Sequence, residues 1–508
     1  MFGKRSYGDY QTPPVFAGQV CGFLKHTLGI SPSIIIEPTC GIGNFIKSSL
    51  IFNATVIYGF EINPEYCSTC AKEIDDIRVK IINCDFFSYN LQSLRNNQNT
   101  LVIGNPPWIT NSSLTTLGSR NLPEKRNIKF LKGIDALTGA SNFDICECII
   151  LKLLSVFRGT NTTIAMLCKP IVARNIFNEL YRLKVNYNYC NLYDFDAAKW
   201  FGISASACLL VVQLTSQSNR VPTICHIYDF DSPQIAKNSF GYEKDKFYSD
   251  LSIKNDDFDG KCYLEWRQGI KHDCAKIMEL SSDNGVLING KKNIMDIEDD
   301  FVFPLIKGSM FKKPIISDFS KFVIVTQRKS GEETKYIQNQ APKTWAYLMK
   351  NKELLKKRKS SVYQNVPLFS MFGVGEYSYS QFKVGVSGFY KEPLFSVLYS
   401  PDKKPVMLDD TGYFISFSCF ENAYIAMLYL NSHRVYTFLK SLVFKDAKRP
   451  YTKKVLSRLN FSKIIRMISI NELKETENKL HLDSYLTEKM VEDFSDHYTL
   501  LVPSLLHT

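Results

Sequence analysis

The sequence predicts an α/β protein: a mostly parallel, twisted sheet with helices on both faces, followed by a mixed α/β domain. Three observations carry this expectation. Continuously apolar, β-branched runs alternate with helical segments up to about residue 215. The polar stretch Ser216-Gln217-Ser218-Asn219 then breaks the rhythm. A chain of 508 residues also exceeds what a single hydrophobic core organises.

Taken in order, Ser33–Glu37, Thr55–Glu61, Val79–Ile82 and Thr100–Gly104 read as buried strands, with helices between the first three. A helix is expected from about Phe143 to Phe157, then strands at Thr162–Cys168 and Ala205–Leu214. The expected organisation is therefore a first domain at 1–215, a linker at 216–234 and a second domain at 235–508. Beyond the linker the pattern is irregular and richer in Lys, Tyr and Phe, without repeats or low-complexity tracts.

Hydrophobic content of 45% and charged content of 22% are those of a globular protein, and no apolar run is long enough to span a membrane. The start of the chain lacks the apolar stretch of a signal peptide, so a cytoplasmic location is expected. The fourteen cysteines are scattered, many within apolar runs, as reduced core residues are. Cys67 and Cys70 have no second pair at zinc-ribbon spacing, so no metal is expected. A net charge of +12 favours a polyanionic partner.

Ligands of an open parallel sheet sit at the carboxyl ends of its strands. The first strand ends in Glu37-Pro38-Thr39-Cys40-Gly41-Ile42-Gly43-Asn44, where Gly41 and Gly43 permit a tight turn and close ligand approach. Position 46 is Ile, so the third glycine of a dinucleotide fingerprint is absent. The second strand ends in Glu61, twenty residues after Gly41, placed to accept ribose hydroxyls. Asp85 ends the third, followed by Phe86 and Phe87: a carboxylate for an adenine amino group, with rings to hold the base. Without a pyrophosphate to cradle, S-adenosylmethionine fits this set better than NAD.

Asn105-Pro106-Pro107-Trp108 closes the fourth strand. Chance gives such a pattern in about half a percent of chains this long, and its place at a strand end lowers that further. The residue types suit one reaction. An exocyclic amino nitrogen on a base is a poor nucleophile because its lone pair is delocalised. The Asn105 side-chain oxygen and a following backbone carbonyl can each accept one N–H, aiming that lone pair at a sulfonium methyl. Pro106 and Pro107 stiffen the loop and offer no competing N–H. Trp108 can stack on a base, an interaction worth roughly 1–3 kcal/mol. Catalysis here is positioning and electrostatics, without metal or covalent intermediate.

On these residues the chain resembles the amino-methylating DNA methyltransferases of restriction–modification systems, in the gamma-ordered N6-adenine class. The order agrees: Tyr10-Gln11-Thr12-Pro13-Pro14, then the glycine motif, then the Asn-Pro-Pro-aromatic motif, then a long C-terminal part. The resemblance implies a Rossmann-like class I methyltransferase domain and S-adenosylmethionine as cofactor. It implies cofactor contacts from Thr12, Pro13, Glu37, Gly41, Gly43, Asn44, Glu61, Asp85 and Phe86, and a flipped-out adenine against Trp108. Asn142-Phe143-Asp144 and Ala198–Ala205 resemble later family motifs, with Phe143 and Trp200 as candidates for a second base-stacking ring. By residue type alone, Thr12 reads as a helix N-cap before first-turn prolines.

The C-terminal half resembles a target-recognition domain in Trp266–Lys271, Pro304–Gly308, Phe369–Tyr377 and Lys445–Thr452. Between Arg434 and Arg458 lie eight basic residues and one acid, with Tyr436 and Tyr451 interleaved. Lys445, Lys448, Arg449, Lys453 and Lys454 are the expected contacts to duplex DNA. Arg328, Lys383 and Arg449 are candidates for base contact. A separate cognate endonuclease and a monomeric state are the expected partner relations. The alternatives are N4-cytosine methylation, methylation of RNA or of a protein glutamine, and a catalytically silent DNA-binding specificity subunit.

Overall fold

The structure is a computed structural model describing residues 11–95, 98–109, 144–218, 221–254, 257–283 and 285–499. Tyr10, Asn142 and Phe143 lie outside the described residues. The chain divides into two compact units, residues 1–247 and 248–508.

The first unit is built on a ten-stranded sheet. Its strands are β1 (Ile34–Glu37), β2 (Val56–Glu61), β3 (Val79–Asn83), β4 (Thr100–Gly104), β5 (Thr162–Cys168), β6 (Tyr187–Phe195), β7 (Ala207–Leu214), β8 (Ile224–Asp229), β9 (Asn238–Glu243) and β10 (Lys246–Tyr248). Their order is β10-β9-β8-β6-β7-β5-β4-β1-β2-β3. β3, β2, β1, β4 and β5 run parallel, and β7 is antiparallel to both β5 and β6. The expected Rossmann-like class I methyltransferase fold is therefore present. Every residue of β1, β4 and β5 is buried, as central parallel strands covered on both faces require.

Helices α1 (Pro14–Gly22), α2 (Asn44–Ser49), α3 (Pro64–Glu73), α4 (Ile145–Phe157), α5 (Pro170–Arg182) and α6 (Ala197–Phe201) supply that cover. Their starts are written in the sequence. Asn63 accepts from Glu65 N at 2.9 Å ahead of Pro64, and Asp144 accepts from Cys146 N at 3.1 Å, caps worth about 1 kcal/mol each. One start differs from expectation. Pro13, not Thr12, is the N-cap of α1, its carbonyl receiving Ala17 N at 3.0 Å, while the Thr12 carbonyl accepts from the Asn44 side chain.

The compact unit extends past the stretch expected as a linker at 216–234. β8 pairs in parallel with β6, and β9 pairs antiparallel with β8. Tyr242 of β9 stacks on Tyr181 of α5 at 3.7 Å and donates to Asn178 at 3.0 Å.

The second unit has two five-stranded sheets. One comprises β11 (Arg267–Gln268), β20 (Gly412–Phe417), β17 (Phe382–Ser387), β18 (Ser396–Leu398) and β15 (Ile315–Ile316). The other comprises β13 (Val286–Asn289), β12 (Glu279–Asp283), β16 (Lys321–Ile324), β14 (Val302–Ile306) and β19 (Met407–Leu408). Helix α7 (Phe420–Asn431) buries Ala423 through Leu430 against the first sheet, in a core shared with Trp266, Phe438, Tyr451 and Phe494. Three segments cross closely in this unit. Ile270 N donates to Leu408 O at 2.7 Å and Lys271 N to Phe372 O at 2.8 Å. A Cβ on Gly269 would fall 2.1 Å from the Asp409 carbonyl oxygen, and one on Gly373 (φ +71°) 2.6 Å from the Gly269 oxygen.

Candidate active site

The strand-end residues singled out in the first unit are brought together at one edge of the sheet. Gly41 and Gly43 adopt left-handed conformations, φ +53° and +85°. A Cβ on Gly43 would lie 2.4 Å from the Cys70 sulfur, so this turn is closed to larger residues by packing as well as by backbone. Gly41 N donates to Glu61 Oε2 at 2.9 Å, and Asn63 N to Oε1 at 2.8 Å. Two backbone donors thus fix the Glu61 carboxylate at the end of β2. The loop is tied to the chain ahead of α1 by Ile42 N to Gln11 Oε1 at 3.2 Å and Asn44 Nδ2 to Thr12 O at 2.8 Å.

Glu37 ends β1 fully enclosed. Burial, reinforced by Cys70 and Glu61, pushes its carboxyl well above the ordinary value. Its Oε2 and the Thr39 hydroxyl oxygen are buried without a hydrogen-bond partner among the described residues. Orphaned polar atoms of this kind are costly unless a ligand meets them.

Asp85 is exposed and closes its own turn, accepting from Phe87 N at 2.9 Å. Phe86 is buried edge-on to Phe60 at 5.7 Å. Lys152 of α4 organises this loop. Its ammonium donates to the carbonyls of Phe86, Phe87 and Tyr89 at 2.7, 2.9 and 2.9 Å. Nothing in the local sequence marks this lysine, since its partners lie 63 to 66 residues away.

Gly104, the last residue of β4, lies against Glu37, Pro38 and Met166, so the segment that follows it leaves the sheet beside the glycine turn. Pro106 is buried; Asn105, Pro107 and Trp108 are half-buried. Trp108 is held at two points: its indole N–H donates to Leu167 O at 3.1 Å, and its carbonyl accepts from Lys169 Nζ at 2.7 Å. Lys169 also pairs with Asp144 at 2.9 Å. Burial raises the Asp144 carboxyl above its usual range, and the Lys169 contact opposes that rise.

Trp200, one of the two candidates for a second base-stacking ring, packs away from Trp108. Trp200 stacks on Phe16 of α1 at 4.7 Å, whereas its neighbour Phe201 lies 5.9 Å from Trp108. A five-residue helix capped by Asp196 carries both rings, and Phe201 also meets Phe16 edge-on at 6.0 Å.

Similarity to known proteins agrees with this geometry. The chain is 40% identical over 477 residues to the Type II methyltransferase M.NspV of Nostoc sp., covering 92% of this chain and 98% of the relative. It belongs to the Type II methyltransferases. The methyltransferase also shares 27% identity over 111 residues with the modification methylase CviBIII of Paramecium bursaria Chlorella virus NC1A, covering 22% of this chain and 28% of that one. Among solved structures it shares the fold of the Type IIL restriction-modification enzyme MmeI in complex with DNA. That match has a TM-score of 0.52 at 13% identity and covers 96% of this chain and 75% of the other. No family model matches the chain.

In the second unit the basic segment sorts into two groups. Arg458 is engaged with Asp259 through both Nε and NH2, at 3.1 and 2.7 Å, and Arg434 stacks on Phe258 and pairs with Asp257. Tyr451 is buried, donating to Lys391 O at 3.0 Å. Lys445, Lys448, Lys453 and Lys454 are exposed, Lys453 lying 3.7 Å from Glu265. Arg449 is half-buried over Phe389 and donates to Asp410 O at 3.2 Å. Arg328 is exposed. Lys383, expected as a candidate for base contact, is buried. Its amine is enclosed within β17 and donates to Ser380 O, and burial holds its pKa down to about 7. A strand position two residues off would have faced solvent no better, because β17 is buried along nearly its whole length.

Among the described residues, no helix is long and apolar enough to cross a membrane.

Proposed function

We propose that this methyltransferase carries the methyl group of S-adenosylmethionine to N6 of an adenine in duplex DNA, as the modification enzyme of a restriction–modification system. The observation that carries the reading is the placement of Asn105-Pro106-Pro107-Trp108. It follows Gly104 directly, beside the Glu37–Gly43 turn, with Trp108 fixed from the end of β5. Family membership supplies methyl transfer; this tetrapeptide supplies an amino nitrogen as acceptor.

The residues present fit the cofactor. Glu61, oriented by two backbone N–H groups, is assigned the ribose hydroxyls, and Asp85 with Phe86 the adenine. Thr12, Pro13, Glu37, Gly41, Gly43 and Asn44 surround the methionine end, where Glu37 Oε2 and the Thr39 hydroxyl await donors or acceptors. When bound, S-adenosylmethionine supplies a methyl group activated on a sulfonium.

The rest is done by the chain. The Asn105 side-chain oxygen and the Pro106 carbonyl accept the two amino N–H groups and orient the nitrogen. Trp108 stacks on the base, backed by Phe201, whose ring lies 5.9 Å from it at a tilt of 58°. Rotating that base out of the duplex costs a few kcal/mol, which the aromatic contacts offset. The second unit supplies target recognition, with Lys445, Lys448, Arg449, Lys453 and Lys454 on the phosphates, and the enzyme acts as a monomer alongside a separate cognate endonuclease.

The test is Asn105→Ala. Methyl transfer to unmodified duplex DNA should fall below detection while calorimetric binding of S-adenosylmethionine stays within about threefold, roughly 0.7 kcal/mol. Mass analysis of nucleosides from wild-type product should show N6-methyladenine. N4-methylcytosine there, or an active Asn105→Ala enzyme, would overturn the assignment.

A further inference from the structure

We infer that Lys169, neutralised by Asp144, is a positioning residue for the acceptor loop: its ammonium fixes the Trp108 carbonyl and so sets the plane of the Asn105–Trp108 segment. The inference rests on the transfer reading above and adds a residue which that reading does not use.

The geometry is a two-point hold. Leu167 and Lys169 lie two residues apart at the end of β5, the first offering its backbone carbonyl and the second its side chain. Leu167 receives the Trp108 indole N–H at 3.1 Å, and Lys169 donates to the Trp108 backbone oxygen at 2.7 Å. One hydrogen bond would leave the ring free to swing about its attachment. Two, one on the side chain and one on the backbone, remove that freedom and carry the constraint back to Pro107 and Asn105.

The backbone of Lys169 is itself well fixed. It is the N-cap residue of α5, with Pro170 locked at the first helical position behind it and Cys168 in the sheet before it.

The charge arrangement points the same way. A lone ammonium beside a site that must receive a sulfonium would oppose cofactor binding through like-charge repulsion. Asp144, 2.9 Å from the ammonium, cancels that charge locally while leaving its donor function on Trp108 intact. Asp144 is anchored in turn as the N-cap of α4, where it accepts Cys146 N. Loop, ion pair and helix start thus form one chain of contacts, Trp108–Lys169–Asp144–Cys146.

The test uses the full chain labelled with 5-fluorotryptophan, whose four tryptophans give four fluorine resonances. Trp108→Phe identifies the Trp108 line. Lys169→Met should shift or broaden that line and leave those of Trp266 and Trp345 in place, and Lys169→Arg should restore much of its position. In parallel, Lys169→Met should lower kcat for methyl transfer to unmodified duplex DNA by roughly 10- to 100-fold. Its affinity for S-adenosylmethionine should stay within about threefold of wild type. An unmoved Trp108 line overturns the inference whatever the activity. So does a loss expressed wholly in cofactor affinity or in melting temperature. Should Lys169→Met fail to fold, Asp144→Asn replaces it and is expected to perturb the same resonance. If the wild-type chain transfers no methyl group to DNA, the functional reading falls, while the fluorine result still decides the role of Lys169 in holding the loop.

Discussion

Glu37 shows what a single enclosed side chain contributes to the proposed cofactor site. Its carboxyl is enclosed, and burial, then Cys70 and Glu61, raises its pKa well above the ordinary 4.5. An acid whose folded pKa lies above its unfolded value gives stability that is fully present below 4.5 and lost as pH rises through the folded value. Glu37→Gln removes this titration. The melting temperature of the variant should therefore gain on that of wild type as pH climbs from 4.5 past the raised value, in the absence of cofactor. Parallel melting curves across that interval would show that Glu37 does not titrate there. In the proposed cofactor complex, the unmet Oε2 would reward any donor that reaches it.

Helix α4 is the element through which both halves of the site are steadied. Its N-cap, Asp144, holds Lys169 against the acceptor loop, and Lys152, two turns along, holds the loop after β3 by three carbonyls. Lys152→Met should weaken S-adenosylmethionine binding about tenfold, near 1.4 kcal/mol, and leave kcat at saturating cofactor close to wild type. Titration calorimetry with steady-state rates separates the two, and a fall in kcat alone would reject the assignment. Neither lysine could be found from sequence spacing. Glu61, Asp85 and Asn105 were legible because each closes an apolar run and carries a side chain out of place in one. Lys152 and Lys169 act on carbonyls some 60 residues away, contacts that only the fold creates. β6 was hidden for a related reason: Asn188, Asn191 and Asp194 interrupt its apolar pattern, and its identity comes from pairing with β7 and β8. The extension of the first unit through β8 and β9 was hidden by the polar stretch that begins at Ser216, because the pairing of β8 with β6 is a contact between distant residues.

Across the whole molecule the surplus of +12 is only partly available to a polyanion. Arg434 and Arg458 spend their charge on Asp257 and Asp259 and their planar faces on Phe258 and Tyr248. That leaves the exposed Lys445, Lys448 and Lys454 as the members of the cluster best placed for phosphate. Changing these three to Ala should reduce the slope of log Kd against log salt by about 2 to 3, on the basis of 0.9 per phosphate contact. An unchanged slope would remove these three lysines from the proposed DNA contact. The loss should be uniform across sequences, because phosphate contacts fix register without reading bases.

The crossing of residues 267–273, 372–375 and 408–412 bears on any attempt to trade segments between relatives. Gly269 has no room for a methyl group against the Asp409 carbonyl, and Gly373 has none against Gly269. Each strand of this knot is shaped to the other two, so a chimera assembled from one donor at 267–273 and another at 408–412 would inherit a steric mismatch at its centre. Transplants in this region should therefore succeed as a matched trio and fail piecemeal.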